Sequence, residues 1–305
     1  MIRRAGGALC LGIGGGGDVV GATATAELAR SLGTRAVVGG TTWERRAIDP
    51  RPGPRRLREL VGAEPLNEAV ALAGPDTRTA DGAVFAESRV AGVRGQRTLL
   101  VDPSEGPASV GAALADAAAR LECDLVLLVD VGGDVLAHGD EPGLASPLCD
   151  AVMLAAAEPL VAAGVTAVGG VFGAGCDGEL TVAEVLARLA EVAAAGALLG
   201  AWGLTPAAAD RLEEAVAAVP TEASAQALLC ARGAVGTAEI RGGRRTVERS
   251  PVGAVTFYFD AAVALAAAAP LARAVRSATD LEEANDRLHA VGVRTELDLE
   301  REAQR

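Results

Sequence analysis

Short apolar runs that end in glycine or aspartate are the feature that most constrains the fold of this chain. The runs are ALCLGI, RAVVGG, TLLVD, LVLLVD and VTAVGGVF, and most of them lead into a segment with alanine and leucine at helical spacing. Unalternating runs of this kind are typical of strands that are buried on both faces, and their alternation with helices indicates a parallel sheet. We therefore predict an α/β fold, Rossmann-like, with a mostly parallel sheet and helices on both faces.

The length and the apolar content favour a single domain. The chain has 305 residues, of which 50% are hydrophobic, so it can bury one large core. No low-complexity linker or solenoid repeat divides it. We predict one α/β domain over residues 1–305, with a C-terminal elaboration of helices and strands over residues 233–305. The alanine-rich helices at the end of the chain either cover the sheet or pack in a homodimer.

Composition excludes several classes of function. The net charge of −12 and the 2% of aromatic residues argue against nucleic-acid binding, which needs a basic surface and usually aromatic rings for stacking. No run approaches the roughly 20 apolar residues of a membrane span. Because the sequence contains no lysine, it cannot form a Schiff base, anchor pyridoxal phosphate or build a GxxxxGK phosphate loop. A cationic or metal-bridged small ligand fits this composition better.

The cysteines indicate a reducing compartment. There are five of them, widely scattered and without a CxxC pair, at positions Cys10, Cys123, Cys149, Cys176 and Cys230. This pattern supports neither a disulfide framework nor a zinc site. We predict buried free thiols in a cytoplasmic protein.

The stretch GIGGGGDVVGA lies between the first strand and the first helix and matches the pattern GxGxxG at Gly12, Gly14 and Gly17. A dinucleotide site also needs an acidic residue at the end of the next strand, where this chain has two glycines and Thr41. Asp18 weakens the nucleotide interpretation further, since a carboxylate at the start of the helix competes with phosphate for the same N–H groups. In the simplest alternative, Asp18 is a helix N-cap.

The same kind of turn occurs three times. After the first turn, GGGGD, come LVLLVDVGGDV and VTAVGGVFGAGCDGEL, and together they deliver Asp18, Asp134 and Asp177 in glycine-rich turns behind three strands. Loops that follow the carboxyl ends of parallel strands share one edge of the sheet. Carboxylates that converge there repel one another and are the ligands preferred by Mg²⁺ or Mn²⁺. We therefore predict a divalent metal held by these three residues, with helix capping as the alternative.

Four of these stretches also carry a resemblance. GIGGGGDVVGA, GGTTWERRAIDPRPGPR, VDVGGDVLAHGDEPGLASPLCDAVMLAA and VFGAGCDGEL together resemble an uncharacterised domain-of-unknown-function family (number 1152) of archaea and actinobacteria. The resemblance covers most of the chain. It implies a site shared by these stretches and no particular reaction.

Acid and base candidates follow the second GGD turn. His138 is one of two histidines, and it stands with Asp140 and Glu141 where a general base or acid would lie, although a surface histidine is the common alternative. Asp150 lies one turn inside the next helix and could face the site.

Candidate substrate-binding residues come from three segments: the glycine loop, the arginine-rich stretch TTWERRAIDPRPGPRR, and the start of the helix after the second turn. Arginine forks bind carboxylates or phosphates, although a solvated basic loop is the alternative. A serine before a proline is also a typical helix N-cap. The candidates are Gly15, Gly16, Gly17, Thr41, Arg45, Arg51 and Ser146.

Together these features predict a divalent-metal-dependent hydrolase, or an enzyme of related phosphate or acyl chemistry, that acts on a small anionic, in particular phosphorylated, metabolite. Two alternatives stay open. One is a nucleotide- or dinucleotide-binding enzyme that uses the glycine-rich loop, and the other is a protein that binds a ligand without catalysis.

Overall fold

The structure, a computed structural model, describes residues 1–305 and consists of strands and helices that alternate along the chain. The strands are β1 (Gly7–Gly12), β2 (Arg35–Thr41), β3 (Leu60–Val61), β4 (Glu64–Pro65), β5 (Val70–Ala73), β6 (Arg78–Thr79), β7 (Thr98–Val101), β8 (Leu125–Val131), β9 (Thr166–Phe172), β10 (Leu198–Gly203), β11 (Gly236–Ile240), β12 (Arg245–Arg249) and β13 (Val255–Asp260). The helices are α1 (Asp18–Ser31), α2 (Ala86–Arg94), α3 (Gly106–Arg120), α4 (Pro147–Ala155), α5 (Ala157–Ala162), α6 (Val182–Ala194), α7 (Pro206–Ala218), α8 (Glu222–Ala231), α9 (Ala261–Ala267), α10 (Pro270–Val275), α11 (Leu281–Ala290) and α12 (Glu296–Glu302). Short 3-10 helices lie at Ile2–Arg4, Leu57–Glu59, Pro103–Glu105, Asp134–Leu136 and Pro251–Ala254.

Nine strands form one mixed sheet in the order β10-β13-β9-β8-β1-β2-β7-β5-β4. The five central strands, β9, β8, β1, β2 and β7, are parallel. The strands outside them, β13 and β10 on one side and β5 and β4 on the other, pair antiparallel. When the five parallel strands are numbered 1 to 5 along the chain, their order across the sheet is 3-2-1-4-5, which is characteristic of Rossmann-like sheets. The α/β prediction is therefore confirmed, and the C-terminal strands β10 and β13 extend the same sheet.

Helices cover both faces of the sheet because its central strands are apolar on both sides. In β1, Ala8 and Cys10 face one layer, while Leu9 and Leu11 face the other. The first layer contains α1, α2, α7 and α8, and the second contains α3 to α6 and α9 to α12. Burial of these faces is the main favourable contribution to folding.

The order of the strands creates a crevice at the carboxyl ends of β1 and β8. From β1 the chain moves through β2 to β7, and it then returns to place β8 on the other side of β1. Connections therefore leave β1 and β8 in opposite directions, and the loops that follow the two strands separate. In open α/β sheets, ligands bind at such a switch point. Asp18 and Asp130 lie at this place in the fold.

All five cysteines are free and buried, as predicted. No helix combines the length and the apolar character that crossing a bilayer requires.

The close packing of β9 against β13 gives a test of the sheet. A Cβ atom on Gly169 would overlap the ring of Phe259, its partner on β13, whereas a Cβ on the adjacent Gly170 would meet Thr256 and Tyr258 at an ordinary 3.5 Å. We expect Gly169→Ala to lower the free energy of unfolding by about 1–3 kcal/mol, because overpacking forces side chains out of their rotamers. Urea denaturation measures the change.

Gly170→Ala is the matched control, since it adds the same methyl group to the other face of the same strand. Its stability should stay within about 1 kcal/mol of the wild type. Equal losses for the two variants would contradict the observed packing of Phe259.

Candidate functional site

An acidic cavity lies at the switch point of the sheet. Its free volume is about 40 Å³, enough to hold a few water molecules. Only two of its 13 lining residues are hydrophobic. The lining residues are Gly14, Gly15, Asp18, Arg45, Val131, Asp134, Ser146, Asp150, Asp177, Glu179, Thr221, Ala223 and Arg241.

Three carboxyl groups approach one another most closely in this region. Oxygen atoms of Asp18, Asp130 and Asp150 all lie within 4.8 Å of one another. Asp18 is the first residue of α1, Asp130 is the penultimate residue of β8, and Asp150 lies in the first turn of α4. Three separate elements therefore bring one carboxyl group each to a single point.

Glycine makes this approach feasible. A Cβ atom on Gly14 would lie 2.6 Å from Asp18 Oδ2 and 3.0 Å from Asp150 Oδ2, so any side chain there would displace the cluster. Gly132 has a similar role behind β8, where a Cβ would overlap the carboxyl group of Asp177. The glycine-rich turns thus provide space for aspartates.

The hydrogen bonds of the cluster leave two buried oxygens without a partner. Asp18 Oδ2 accepts from the N–H groups of Gly14 at 3.0 Å and Val131 at 3.3 Å, and Asp130 Oδ2 accepts from that of Val135 at 3.3 Å. Oδ1 of Asp130 and Oδ1 of Asp150 have no hydrogen-bond partner, although the two residues are only 1% and 2% exposed. A buried polar atom that lacks a partner costs free energy, so these oxygens are suited to binding something further.

Burial and mutual repulsion disfavour the charged forms of these groups. Burial raises the pKa of Asp18 to about 7, although its two backbone hydrogen bonds and Arg45 oppose the shift. Burial also raises the pKa of Asp130 well above its usual range, and the charges of Asp18 and Asp177 raise it further. The pKa of Asp150 is raised by burial and then by Asp130 and Asp18.

The two other predicted aspartates share this environment. Burial raises the pKa of Asp134 well above its usual range, with further contributions from the nearby carboxylates, of which Asp130 is the largest. Burial and the charge of Glu179 raise the pKa of Asp177 to about 8. A group of carboxyl groups with raised pKa values in a crevice is typical of a functional site.

Six of the thirteen predicted site residues line this cavity. Asp18, Asp134 and Asp177 line the same cavity, as do Gly15, Arg45 and Ser146. Capping is not the role of Asp18, because Gly17 is the N-cap of α1 and the Asp18 carboxyl group binds N–H groups outside that helix. The assignment of a metal to Asp18, Asp134 and Asp177 remains a prediction.

Three predicted substrate-binding residues contact Gly14 or Arg45 but do not line the cavity themselves: Gly16, Gly17 and Thr41. The Thr41 hydroxyl donates to the carbonyl of Gly14 at 3.1 Å, and the N–H of Gly16 donates to the carbonyl of Trp43 at 2.8 Å. A Cβ on Gly17 would lie 2.5 Å from the guanidinium of Arg45, so glycine lets that side chain approach. The N–H groups of Gly14 and Gly16 therefore already have partners within the protein.

Ser146 occupies the N-cap position of α4, with Pro147 as the first helical residue, as its sequence indicates. Its hydroxyl, however, donates to Glu179, and Glu296 accepts from the N–H groups of Leu148 and Cys149 in its place. The cap of α4 therefore comes from α12, at the end of the chain.

The structure does not bring four predicted residues to the cavity. His138 Nε2 lies 2.8 Å from Glu191 of α6, and the Glu141 carboxylate binds Arg188 and the N–H groups of His138 and Gly139. The side chain of Asp140 is 84% exposed. Arg51 pairs with Glu59. These groups stabilise the neighbouring loops, and none of them is among the lining residues.

Two members of the closest cluster, Asp130 and Asp150, were not among the predicted ligands. Asp130 ends a fully apolar run, which is the position that points a side chain out of the carboxyl end of a strand. Asp150 follows Ser146 by one helical turn. Thr221 and Arg241 come from a distant part of the chain, and no local signal in the sequence connects them with the site.

Removing one carboxylate should stabilise the protein when no metal ion is present. We expect Asp150→Asn in EDTA at pH 8 to raise the free energy of unfolding by about 1–3 kcal/mol, because burial and the charges of Asp130 and Asp18 raise the pKa of Asp150, and asparagine carries no such cost. A carboxyl group with a raised pKa destabilises the folded state as pH rises through that pKa. The chelated wild type should therefore lose stability between pH 5 and pH 8, the range bounded above by the pKa of Asp177 at about 8.

Urea unfolding at pH 5 and pH 8 measures both effects. The advantage of Asp150→Asn should be smaller at pH 5 than at pH 8, because the cost of a raised carboxyl pKa decreases as pH falls towards the pKa of the unfolded chain. Asp140→Asn, on the exposed loop, is the control and should change stability by less than about 0.5 kcal/mol. A large loss of stability for Asp150→Asn at pH 8 would show that the charge is needed for folding, and the carboxyl cluster would then not be a source of instability.

Comparison with known proteins identifies the family. No curated protein and no solved structure matches the chain. Residues 9–304 match the family described as Protein of unknown function (DUF1152), a match that includes the glycine turns, the arginine loop and every carboxyl group of the cavity. Because the match covers nearly the whole length, the chain belongs to this family.

Proposed function

We propose that the protein is a divalent-cation-dependent enzyme that acts on a small anionic metabolite, in particular a phosphorylated one, by hydrolysis or related phosphate or acyl chemistry. The single observation that carries the proposal is the pair of unpartnered oxygens on Asp130 and Asp150 beside Asp18. A hard divalent cation would satisfy both oxygens and offset the repulsion among the three groups. Two unit charges 4 Å apart interact by about 4 kcal/mol at an effective dielectric constant of 20.

The ligand set favours Mg²⁺ or Mn²⁺. Carboxylate oxygens are the ligands that these ions prefer, whereas zinc and copper sites usually contain histidine or cysteine. Cys149 adjoins Asp150 in sequence, but burial raises the pKa of its thiol well above the ordinary value, so it stays protonated. In this proposal Asp18, Asp130 and Asp150 hold the ion, and Asp134 and Asp177 complete its acidic surroundings.

A cationic side chain opposite the carboxylates supports an anionic substrate. Arg45 is half-buried, lines the cavity and forms no ion pair; its guanidinium donates only to the carbonyl of Gly16, at 3.3 Å. An arginine without a carboxylate partner in an otherwise acidic cavity is suited to binding a phosphate or a carboxylate. Of the two arginines predicted for this role, Arg45 is therefore the one that we retain.

The chemistry is that of metal-assisted hydrolysis. A bound cation polarises a phosphoryl or acyl oxygen and lowers the pKa of a bound water molecule. In hydrolysis, water supplies the oxygen that bonds to phosphorus or carbon, and the leaving oxygen receives a proton. The small free volume admits the reacting group alone, so the rest of the substrate would lie outside the cavity.

Three further interpretations stay predictions. Free cysteines favour the cytoplasm, where such thiols remain reduced. A homodimer through the C-terminal helices is also untested. Nucleotide binding by the glycine loop is untested as well, although the N–H groups of Gly14 and Gly16 are already hydrogen-bonded within the protein.

Metal binding is the first test of the proposal. Titration of the EDTA-treated, dialysed protein with Mg²⁺ or Mn²⁺ should raise its melting temperature by several degrees, since a ligand at 100 times its Kd stabilises the folded state by about 2.7 kcal/mol. Asp130→Asn and Asp150→Asn should abolish the rise, and Asp140→Asn should retain it. An equal rise in all four proteins would place the ion elsewhere and overturn the proposed site.

Phosphate release tests the reaction. With Mg²⁺ or Mn²⁺ present, we expect hydrolysis of members of a panel of small phosphate monoesters, and a loss of at least about 100-fold in kcat/KM for Asp130→Asn, because the cation is no longer held. A circular-dichroism spectrum confirms that the variant folds. Metal-dependent binding of the esters without turnover would instead support the non-catalytic alternative.

A further inference from the structure

A basic hairpin closes one side of the acidic cavity. Strands β11 and β12 pair only with each other and form a separate two-stranded sheet. The turn between them reads RGGR, from Arg241 to Arg244, and Arg245 begins β12. Arg241 reaches the cavity, although it lies more than 60 residues beyond Asp177 in the chain. The hairpin thus brings positive charge to a site that is otherwise built from the carboxyl ends of the main sheet.

The backbone of this turn is held in an uncommon conformation. Arg241 has a φ of 56°, in the left-handed region, and Gly242 and Gly243 follow with φ values of 66° and 79°. A non-glycine residue in this region costs free energy and is enriched at functional sites. The main-chain N–H of Arg241 donates to both carboxylate oxygens of Glu222 at 3.0 Å, which fixes the residue against the start of α8.

The side chain of Arg241 has unused hydrogen-bonding capacity. Its Nε is buried without a hydrogen-bond partner, and Glu222 Oε2, at 3.9 Å, is beyond hydrogen-bonding distance. Arg245, the first residue of β12, behaves differently, because it donates to Glu179 at 2.9 Å and to the carbonyl of Asp177 at 3.1 Å. Arg245 therefore attaches the hairpin to the acidic wall, whereas Arg241 remains available for a ligand.

Arg241 and Arg45 act on each other across the cavity. Burial lowers the pKa of Arg45, and the positive charge of Arg241 lowers it further. The charges of Glu44, Asp18 and Glu222 oppose this shift, but no carboxylate is hydrogen-bonded to either guanidinium group, and the two positive charges still repel each other. An anion between them would remove that repulsion and supply the missing acceptors.

We infer that Arg241 and Arg45 form an anion subsite beside the metal cluster, and that the hairpin supplies Arg241 to the phosphate or carboxylate group of the substrate. The inference rests on the proposed function for the identity of that substrate. It adds the hairpin to the site and assigns to Arg241 the contact with the anionic group. The geometry of two arginine forks favours a group with several equivalent oxygens, as in phosphate.

Inorganic phosphate is the probe, and Arg244→Gln is the matched control. Arg244 belongs to the same turn, is exposed and does not line the cavity; its Nε donates to the carbonyl of Arg241. Binding is measured by isothermal titration calorimetry, with Mg²⁺ present and again in EDTA. In Mg²⁺, Arg241→Gln should weaken phosphate binding by about 10- to 100-fold, the usual effect of losing a charge-assisted hydrogen bond. Arg244→Gln should change it by less than about threefold.

The outcomes separate this inference from the proposed function. If phosphate binds the wild type and both variants equally, or does not bind the wild type at all, the anion subsite is overturned, while a Mg²⁺-dependent rise in melting temperature would leave the metal site intact. If Mg²⁺ has no effect but phosphate still binds in EDTA and requires Arg241, the subsite stands and the metal-dependent function fails. Loss of Mg²⁺ binding in Arg241→Gln would overturn the inference, because it would show that the hairpin shapes the metal site instead.

Discussion

The repulsion among buried carboxyl groups is the constraint on which the rest of this structure depends. Asp18, Asp130 and Asp150 meet at the switch point of the sheet, where burial and proximity both disfavour their charged forms. The protein offsets part of this cost with backbone N–H groups and with arginines. It leaves two oxygens unsatisfied, and an apolar residue at either position would avoid that cost. A fold that keeps such groups gains something other than stability from them, and cation binding is the gain that we propose.

The C-terminal third of the chain completes the site. Glu296 of α12 accepts from the first N–H groups of α4, the helix that carries Asp150, and Glu300 accepts from Trp43 and Gly53 in the arginine-rich loop. The β11–β12 hairpin contributes Arg241. Parts of the chain that look like an elaboration of the core therefore position the helix with Asp150 and the loop with Arg45. This explains how a site at the ends of β1 and β8 can depend on residues near position 300.

The sequence predicts the central sheet well because its strands are apolar on both faces, a pattern that few other structures share. It also predicts further strands within residues 233–305, although only their pairing shows that β13 joins the main sheet and that β11 and β12 do not. The recurrence of glycine and aspartate behind three strands correctly locates the cavity. The sequence does not show which of Asp130 and Asp134, four residues apart, lies closest to Asp18 and Asp150. Their positions depend on the backbone conformation at the end of β8. His138 and Glu141 are attractive in sequence, but Glu191 and Arg188 of α6, about 50 residues further on, bind them.

The balance of charge also sets the order of binding that follows from our proposal. Five carboxyl groups line the cavity, with that of Asp130 beside them, against the two guanidinium groups of Arg45 and Arg241; the five are those of Asp18, Asp134, Asp150, Asp177 and Glu179. An anion that enters while most of these carboxyl groups are ionised meets a net negative field, so Arg45 and Arg241 alone bind it weakly. A divalent cation reverses that balance locally and strengthens anion binding. By linkage, the anion must strengthen cation binding by the same factor. In our proposal the acidic and basic sides of the cavity would therefore act as one coupled site for a cation and an anion.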